Sequence, residues 1–154
     1  MIAKILVPHD GTEMSNKAFE RAIEFAKAFN AEILLLHVIQ DIPIPPSLLL
    51  GNDRVLISKA KRSIAKELEK GWNKMVQEKI IDVIISKDNR IKVKSEVTVG
   101  SSPAEEIIKF ADTKQIDIII MGSQRLETIS KIKAIGSVAR RVSEAAKCPV
   151  MIIH

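Results

Sequence analysis

The sequence predicts an α/β fold, a doubly wound parallel sheet of five strands with helices on both faces. Short apolar runs rich in β-branched residues alternate with stretches of helical periodicity along the chain, the pattern of parallel strands joined by right-handed crossovers. Gly11, Gly100 and Gly122 directly follow predicted strands, where such sheets form their sites. The clearest segment is Ile116–Ile153. An apolar run breaks at Gly122-Ser123, a helical pattern opens at Gly136-Ser137-Val138, and Cys148-Pro149 precedes a last apolar run.

The first strand is Ile2–Val7, ended by Pro8-His9-Asp10-Gly11. A helix should begin near Thr12 to Ser15, because Ala18, Phe19, Ala22, Ile23, Ala26 and Phe29 recur at helical spacing. Asn30 suits the left-handed terminating position. Ala31–Val38 holds the continuous run Ile33–Leu36, expected of a strand covered on both faces. Pro43, Pro45 and Pro46 make residues 40–51 a loop. A long second helix starts near Asn52-Asp53, with Ile57, Ala60, Ile64, Leu68, Trp72 and Met75 in step. Residues 80–85 read equally as helix or strand.

Ile91, Val93, Val97 and Val99 alternate with Lys92, Lys94, Glu96 and Thr98. Lysines on a half-exposed strand discourage edge pairing, so this strand belongs at one edge of the sheet. Ser102-Pro103-Ala104-Glu105 supplies an N-cap, a proline at N1 and a glutamate at N3, the elements of a capping box. Strand 4 is Ile116–Met121, a fourth helix runs from about Gly136 to Ala146, and strand 5 is Val150–Ile153. No internal repeat is visible, and 154 residues suit a single domain spanning 1–154.

Composition narrows the function. Apolar residues are 46% and charged residues 28%, which fits a globular chain with a full core. No apolar run approaches the ~18 residues that span a bilayer, and the N-terminus does not resemble a signal peptide, so no membrane partner is expected. One cysteine excludes an intrachain disulfide and suits a reducing compartment, with the cytoplasm as the expected location. The net charge is +5. The cations cluster on the long second helix among Glu67, Glu69 and Glu78, as on a solvated face. Aromatics are 3%, too few for a stacking surface, which argues against a nucleic-acid partner.

A strand ending in Gly122-Ser123 and a second Gly-Ser at a helix start can form a phosphate cradle. Glycine and a helix N-terminus present backbone N–H groups to an anion with no Cβ in the way. If strand 1 lies beside strand 4, Asp10-Gly11 faces Gly122-Ser123 across a crevice that Gly136 closes. Asp10 could bond a ribose hydroxyl, help hold a metal, or cap the first helix. Ser123 and Ser137 could donate to phosphate, with Ser137 equally able to cap. Val38 and Met121 could support an adenine or be plain core. His9 beside Asp10 invites acid–base chemistry, but no motif places a nucleophile. His37 and Trp72 read as packing residues, and Cys148 as a small buried hydrophobe.

These motifs resemble those of the universal stress protein family. The resemblance rests on Ile5–Thr12 with Ser15, on Leu36-His37-Val38 and on Gly100–Ile107. It continues through Met121-Gly122-Ser123, Gly136-Ser137-Val138 and Cys148-Pro149-Val150. It implies a Rossmann-like sheet of strand order 3-2-1-4-5, a homodimer, and in some members an ATP site. The residues it places at that site are Pro8, Asp10, Val38, Met121, Gly122, Ser123, Arg125, Gly136, Ser137 and Val138, with ATP bound alone or with Mg2+. The family's motif is Gly, two residues, Gly, nine residues, then Gly-Ser or Gly-Thr. Here Arg125 stands at the second glycine, and the interval to Gly136 is one residue longer. Either nucleotide binding is lost, or the Arg125 guanidinium, with Lys131 and Lys133, holds phosphate by charge-assisted hydrogen bonds.

Three functions compete at this point. One is a small stress-response protein binding ATP or a related adenine nucleotide as a homodimer, with weak hydrolysis at most, since no P-loop is present. The second is a nucleotide-free interaction protein of the same family. The third is an adenylyl-transfer enzyme, which lacks its second domain here. The apolar fifth strand, at a sheet edge in the family's order, is expected to pair with its copy through residues 149–153.

Overall fold

The computed structural model describes residues 1–41, 43, 45, 53–81, 90–123, 126–127 and 133–154. The elements in order are β1 (Lys4–Pro8), α1 (Glu13–Phe29), β2 (Glu32–Gln40), α2 (Asp53–Met75) with a π-helical continuation Val76–Ile81, β3 (Val93–Gly100) and α3 (Pro103–Lys114). After these come β4 (Ile118–Gly122), β5 (Leu126–Glu127), β6 (Lys133–Ala134), α4 (Ser137–Ala145) and β7 (Val150–Ile153). One five-stranded sheet runs β3-β2-β1-β4-β7, with every pair parallel. Counted by sheet strand, that is 3-2-1-4-5. β5 and β6 form a separate antiparallel ribbon that sequence periodicity did not announce.

Side chains alternate across the sheet, and each face collects its own core. Ile5, Val7, Ile33, Leu35, Ile118 and Ile120 face α1 and the end of α2, packing with Ala18, Phe19, Ala22 and Trp72. Leu6, Leu34, Leu36, Ile119 and Met121 face α3 and α4, packing with Ala104, Ile107, Ala139 and Val142. The run Ile33–Leu36 is therefore buried along its whole length, as a strand covered on both faces requires. Burying each such side chain contributes roughly 1.5–3 kcal/mol.

Local signals set the helix ends. Thr12 is the N-cap of α1, its side chain accepting from the Ser15 N–H, and Asn30 ends the helix at φ 54°, ψ 42°. Ser102 caps α3 over Pro103. The other half of the expected capping box goes elsewhere, because the Glu105 carboxylate meets Arg141 of α4 at 3.1 Å. The stripe on α2 divides: Trp72 is buried, while Ile64 and Leu68 are 60% and 50% exposed. Periodicity shows one apolar face on α2 but not how far the sheet extends beneath it. Cys148 corrects an expectation, being half-buried rather than buried. Burial still pushes its thiol up from the ordinary range.

Most of the expected loop 40–51 and residues 82–85 lie outside the described residues. Among the described residues, no helix is long and apolar enough to cross a membrane.

Candidate functional site

β1 and β4 are neighbours, and the connections from them leave in opposite directions, so the switch point of the sheet lies at their carboxyl ends. Three segments meet there. The chain leaves β1 through His9, Asp10 and Gly11, with Gly11 at φ +86°, a left-handed conformation that costs a side-chain-bearing residue more than glycine. The Asp10 carboxylate accepts from the Thr12 amide at 3.1 Å and the Thr12 hydroxyl at 2.6 Å. Burial alone would raise the Asp10 pKa, but these hydrogen bonds outweigh it and hold the carboxyl below its ordinary value.

Gly122 ends β4 beneath the first turn of α1. A Cβ there would stand 2.4 Å from the carbonyl carbon and oxygen of Met14 and 2.8 Å from the Ser15 nitrogen. Glycine at 122 thus lets a helix N-terminus rest on the end of β4. Ser123, buried just beyond, accepts a hydrogen bond on Oγ from the Gly136 amide at 2.9 Å. Its own amide donates to the Ile153 carbonyl at 2.8 Å. One serine therefore joins the ends of β4 and β7 to the start of α4. Gly136 is the N-cap of α4 at φ −58°, with no side-chain capping hydrogen bond. That backbone is open to any residue, so Gly136 is not demanded by its torsions. Ser137 is the exposed first residue of α4, not its cap.

The first turn of α1 thus rests on the end of β4, and the start of α4 is tethered to it through Ser123. Helix N-termini carry partial positive charge and N–H groups suited to an anion. Val38, Met121 and Val138 all pack into the core cluster on the α3/α4 face, Met121 buried and the two valines half-buried. Pro8 ends β1 opposite Leu36 of β2. Arg125 and Lys131 lie outside the described residues, as does the side chain of Lys133. Among the described residues, no three His, Cys, Asp or Glu side chains gather closely enough to share a metal ion.

Behind the Asp10 turn is an arrangement that sequence reading missed. His9 is buried, with Nδ1 accepting from the Gly11 amide at 3.2 Å and Nε2 at 2.9 Å from Asn16 Oδ1. An acceptor role at Nδ1 assigns the proton to Nε2, which donates to Asn16. His37 Nδ1 donates to the His9 carbonyl at 2.9 Å. The His37 ring stacks on Trp72 at 4.1 Å and 12°, the His9 ring lies 5.3 Å from the same indole, and Trp72 Nε1 donates to Ser95 Oγ at 3.1 Å. Burial lowers the His9 pKa, against the raising influence of Asn16 and Asp10. A signal was present: the pairing of Pro8 with Leu36 sets two histidines that each end an apolar run side by side.

The fold thus defines a class: a small α/β protein whose β1 and β4 end side by side at the switch point of a doubly wound parallel sheet. The sequence profile described as "Universal stress protein family" matches residues 1–154. The chain is similar to universal stress protein MJ0531 of Methanocaldococcus jannaschii, 33% identical over 150 residues, covering 97% of this chain and 81% of that protein. Among solved structures it is similar to UspA from Lactobacillus plantarum (25% identity, TM-score 0.71, covering 99% and 97%). It is also similar to MJ0577 of M. jannaschii (30% identity, TM-score 0.70, covering 99% and 96%). This chain belongs to the universal stress protein family.

Proposed function

We propose that this protein binds ATP or a related adenine nucleotide, alone or with Mg2+, in the crevice at the ends of β1 and β4, and serves as a small cytoplasmic stress-response regulator of one domain. The observation that carries the reading is the joining of Asp10, Gly122, Ser123 and Gly136 around two helix N-termini. Phosphate is suited to the α4 end, ribose to Asp10, and the base to the half-buried Val38 and Val138, which share a core cluster with Met121. Proteins of the same fold solved in complex with cAMP and with dAMP support an adenine nucleotide as the ligand class. Mg2+ would arrive with the phosphates. With no P-loop, hydrolysis is weak at most.

Calorimetric titration with ATP, ADP and AMP in magnesium tests this. Heat that saturates at one site per chain is expected. Absence of heat up to millimolar ligand, with the protein folded, selects the alternative of a nucleotide-free interaction protein. Arg125 in place of the motif's second glycine is the observation favouring that alternative. Arg125→Ala should weaken ATP more than adenosine, by roughly 1–3 kcal/mol for a charge-assisted contact. Tighter ATP binding by Arg125→Gly would make the arginine an obstruction.

The protein acts as a homodimer paired through residues 149–153. β7 lies at the sheet edge beside β4, and its residues Val150, Met151, Ile152 and Ile153 carry no charge, a liability that pairing with its copy removes. Met151→Lys with Ile153→Lys should yield monomers or aggregates. A parent protein that sediments as a monomer at micromolar concentration overturns the interface.

A further inference from the structure

We propose that His9 is a proton-operated latch on the Asp10–Thr12 turn, closed when its ring is neutral and released when Nδ1 takes a proton. The neutral ring uses both nitrogens: Nε2–H donates to Asn16 Oδ1 at 2.9 Å, and the Nδ1 lone pair accepts the Gly11 N–H at 3.2 Å. A proton on Nδ1 puts a second donor where the Gly11 N–H already points. Two donors cannot share that line, so the Gly11 amide must turn away. Gly11 is the residue able to do so, because it lacks a Cβ and already sits at φ +86°.

The consequence reaches the crevice in one step. Asp10 lies between His9 and Gly11, and its carboxylate is engaged by the amide and hydroxyl of Thr12. Thr12 in turn caps α1 through the Ser15 amide. A cationic ring beside Asp10 draws the carboxylate toward itself and away from Thr12, loosening the turn that presents Asp10. The charged and titratable groups acting on the ring are Asp10 on its own loop and His37 on β2. α1 contributes the neutral Asn16 amide and α2 the Trp72 indole, itself held by Ser95 of β3. Burial, the largest influence, and His37 oppose the proton, while the Asn16 hydrogen bond and Asp10 favour it, with a net lowering, so the latch stays closed at neutral pH and releases in acid. Its meaning for ligand affinity rests on the nucleotide reading above; its ring chemistry does not.

The fold supplies its own reporter. Trp72 is the sole tryptophan, tyrosine is absent, and the indole lies 5.3 Å from the His9 ring. In ligand-free protein, an NMR pH titration should move the Gly11 amide and the His9 ring nitrogens with one midpoint, below the usual imidazole range, with Trp72 fluorescence changing over the same interval. His9→Asn places an amide oxygen near the position of Nδ1 and cannot titrate, so it should abolish the Gly11 step. His37→Asn should retain it. A Gly11 amide that stays still through the His9 midpoint overturns the latch. So does a step that persists in His9→Asn or vanishes in His37→Asn, and so does unfolding before His9 titrates.

The second arm measures ATP affinity at pH 7.5 and at pH 5 in parent and His9→Asn, whose ratio cancels protonation of the ligand itself. Parent affinity should fall about three- to tenfold relative to the variant, the worth of one hydrogen bond. A constant ratio overturns the regulation. If ATP binds neither protein at either pH, the nucleotide reading fails, while the ligand-free titration still decides the latch.

Discussion

Gly122→Ala should destabilise the protein through a clash that no rotamer change can relieve. The new methyl would stand 2.4 Å from the Met14 carbonyl carbon and oxygen and 2.8 Å from the Ser15 nitrogen, and ordinary contact begins at 3.4 Å. All three atoms are backbone, so the first turn of α1 must withdraw by about 1 Å, at a cost of about 1–3 kcal/mol for overpacking of this kind. In a domain of this length that is a Tm lower by roughly 3–10 °C. Gly71→Ala is the matched control, since the same methyl on α2 meets nothing within 4 Å and should stabilise by about 0.5–1 kcal/mol through helix propensity. Urea unfolding followed by Trp72 fluorescence measures both. Withdrawal of α1 also moves Thr12, and with it Asp10, so Gly122→Ala should weaken nucleotide binding while Gly71→Ala should not. If the two alanine variants change stability with the same sign, the close approach of α1 to β4 is not what glycine at 122 serves.

Three further outcomes follow from named contacts. Thr12→Ala removes the α1 cap and a partner of Asp10 and should cost about 1 kcal/mol in denaturant unfolding, with Thr12→Ser near the parent. Ser95→Ala leaves the Trp72 N–H without its acceptor and should cost about 1–3 kcal/mol, read as an earlier urea midpoint. Stability should also fall in acid. The folded pKa of His9 is lowered by burial, so its contribution is full above the ordinary imidazole value near 6.5 and is lost as pH falls below it, where the unfolded chain binds the proton first. Asp10 and Asp117, both depressed by hydrogen bonds, add losses as pH falls through the carboxylate range. Thermal melts between about pH 8 and pH 4 should fall steadily, and a flat profile would contradict the shared sign.

The fold was legible wherever burial forces a pattern. Apolar runs and turn residues placed the five strands, put β3 at an edge and located the end of α1 at Asn30 and the cap of α3 at Ser102, because each answers a local rule; the cap of α1 is Thr12 and not Asp10, whose carboxylate turns to Thr12 instead. What stayed hidden depends on two segments meeting. The β5–β6 ribbon joins pairs of residues too short to show periodicity. The fate of Glu105 was decided by Arg141, 36 positions away. The exposure of Ile64 and Leu68 depends on how far the sheet extends under α2. His9 and His37 were visible as residues, but their shared contact with Trp72 needs the register of β1 on β2 and a helix that arrives from elsewhere in the chain.

The same limit bears on how the glycines of the crevice should be understood. In the sequence, Gly122 and Gly136 look like two halves of one cradle, each offering a bare amide to phosphate. In the fold they differ. Gly122 makes room for the start of α1, so it would reach a ligand only through Thr12 and Asp10, whereas the Gly136 amide already donates to Ser123 Oγ. A phosphate reaching α4 must either leave that bond in place and use the amides that follow, or displace the serine oxygen. Ser123→Ala separates the two routes. If the hydroxyl only tethers α4, its loss should cost stability of about 0.5–1.5 kcal/mol and weaken ATP through a looser helix start. If phosphate replaces the hydroxyl at Gly136, the variant should bind ATP more tightly than the parent, because the competitor for that amide is gone. Titration of both proteins, with stability measured alongside, distinguishes the two by the sign of the change in affinity.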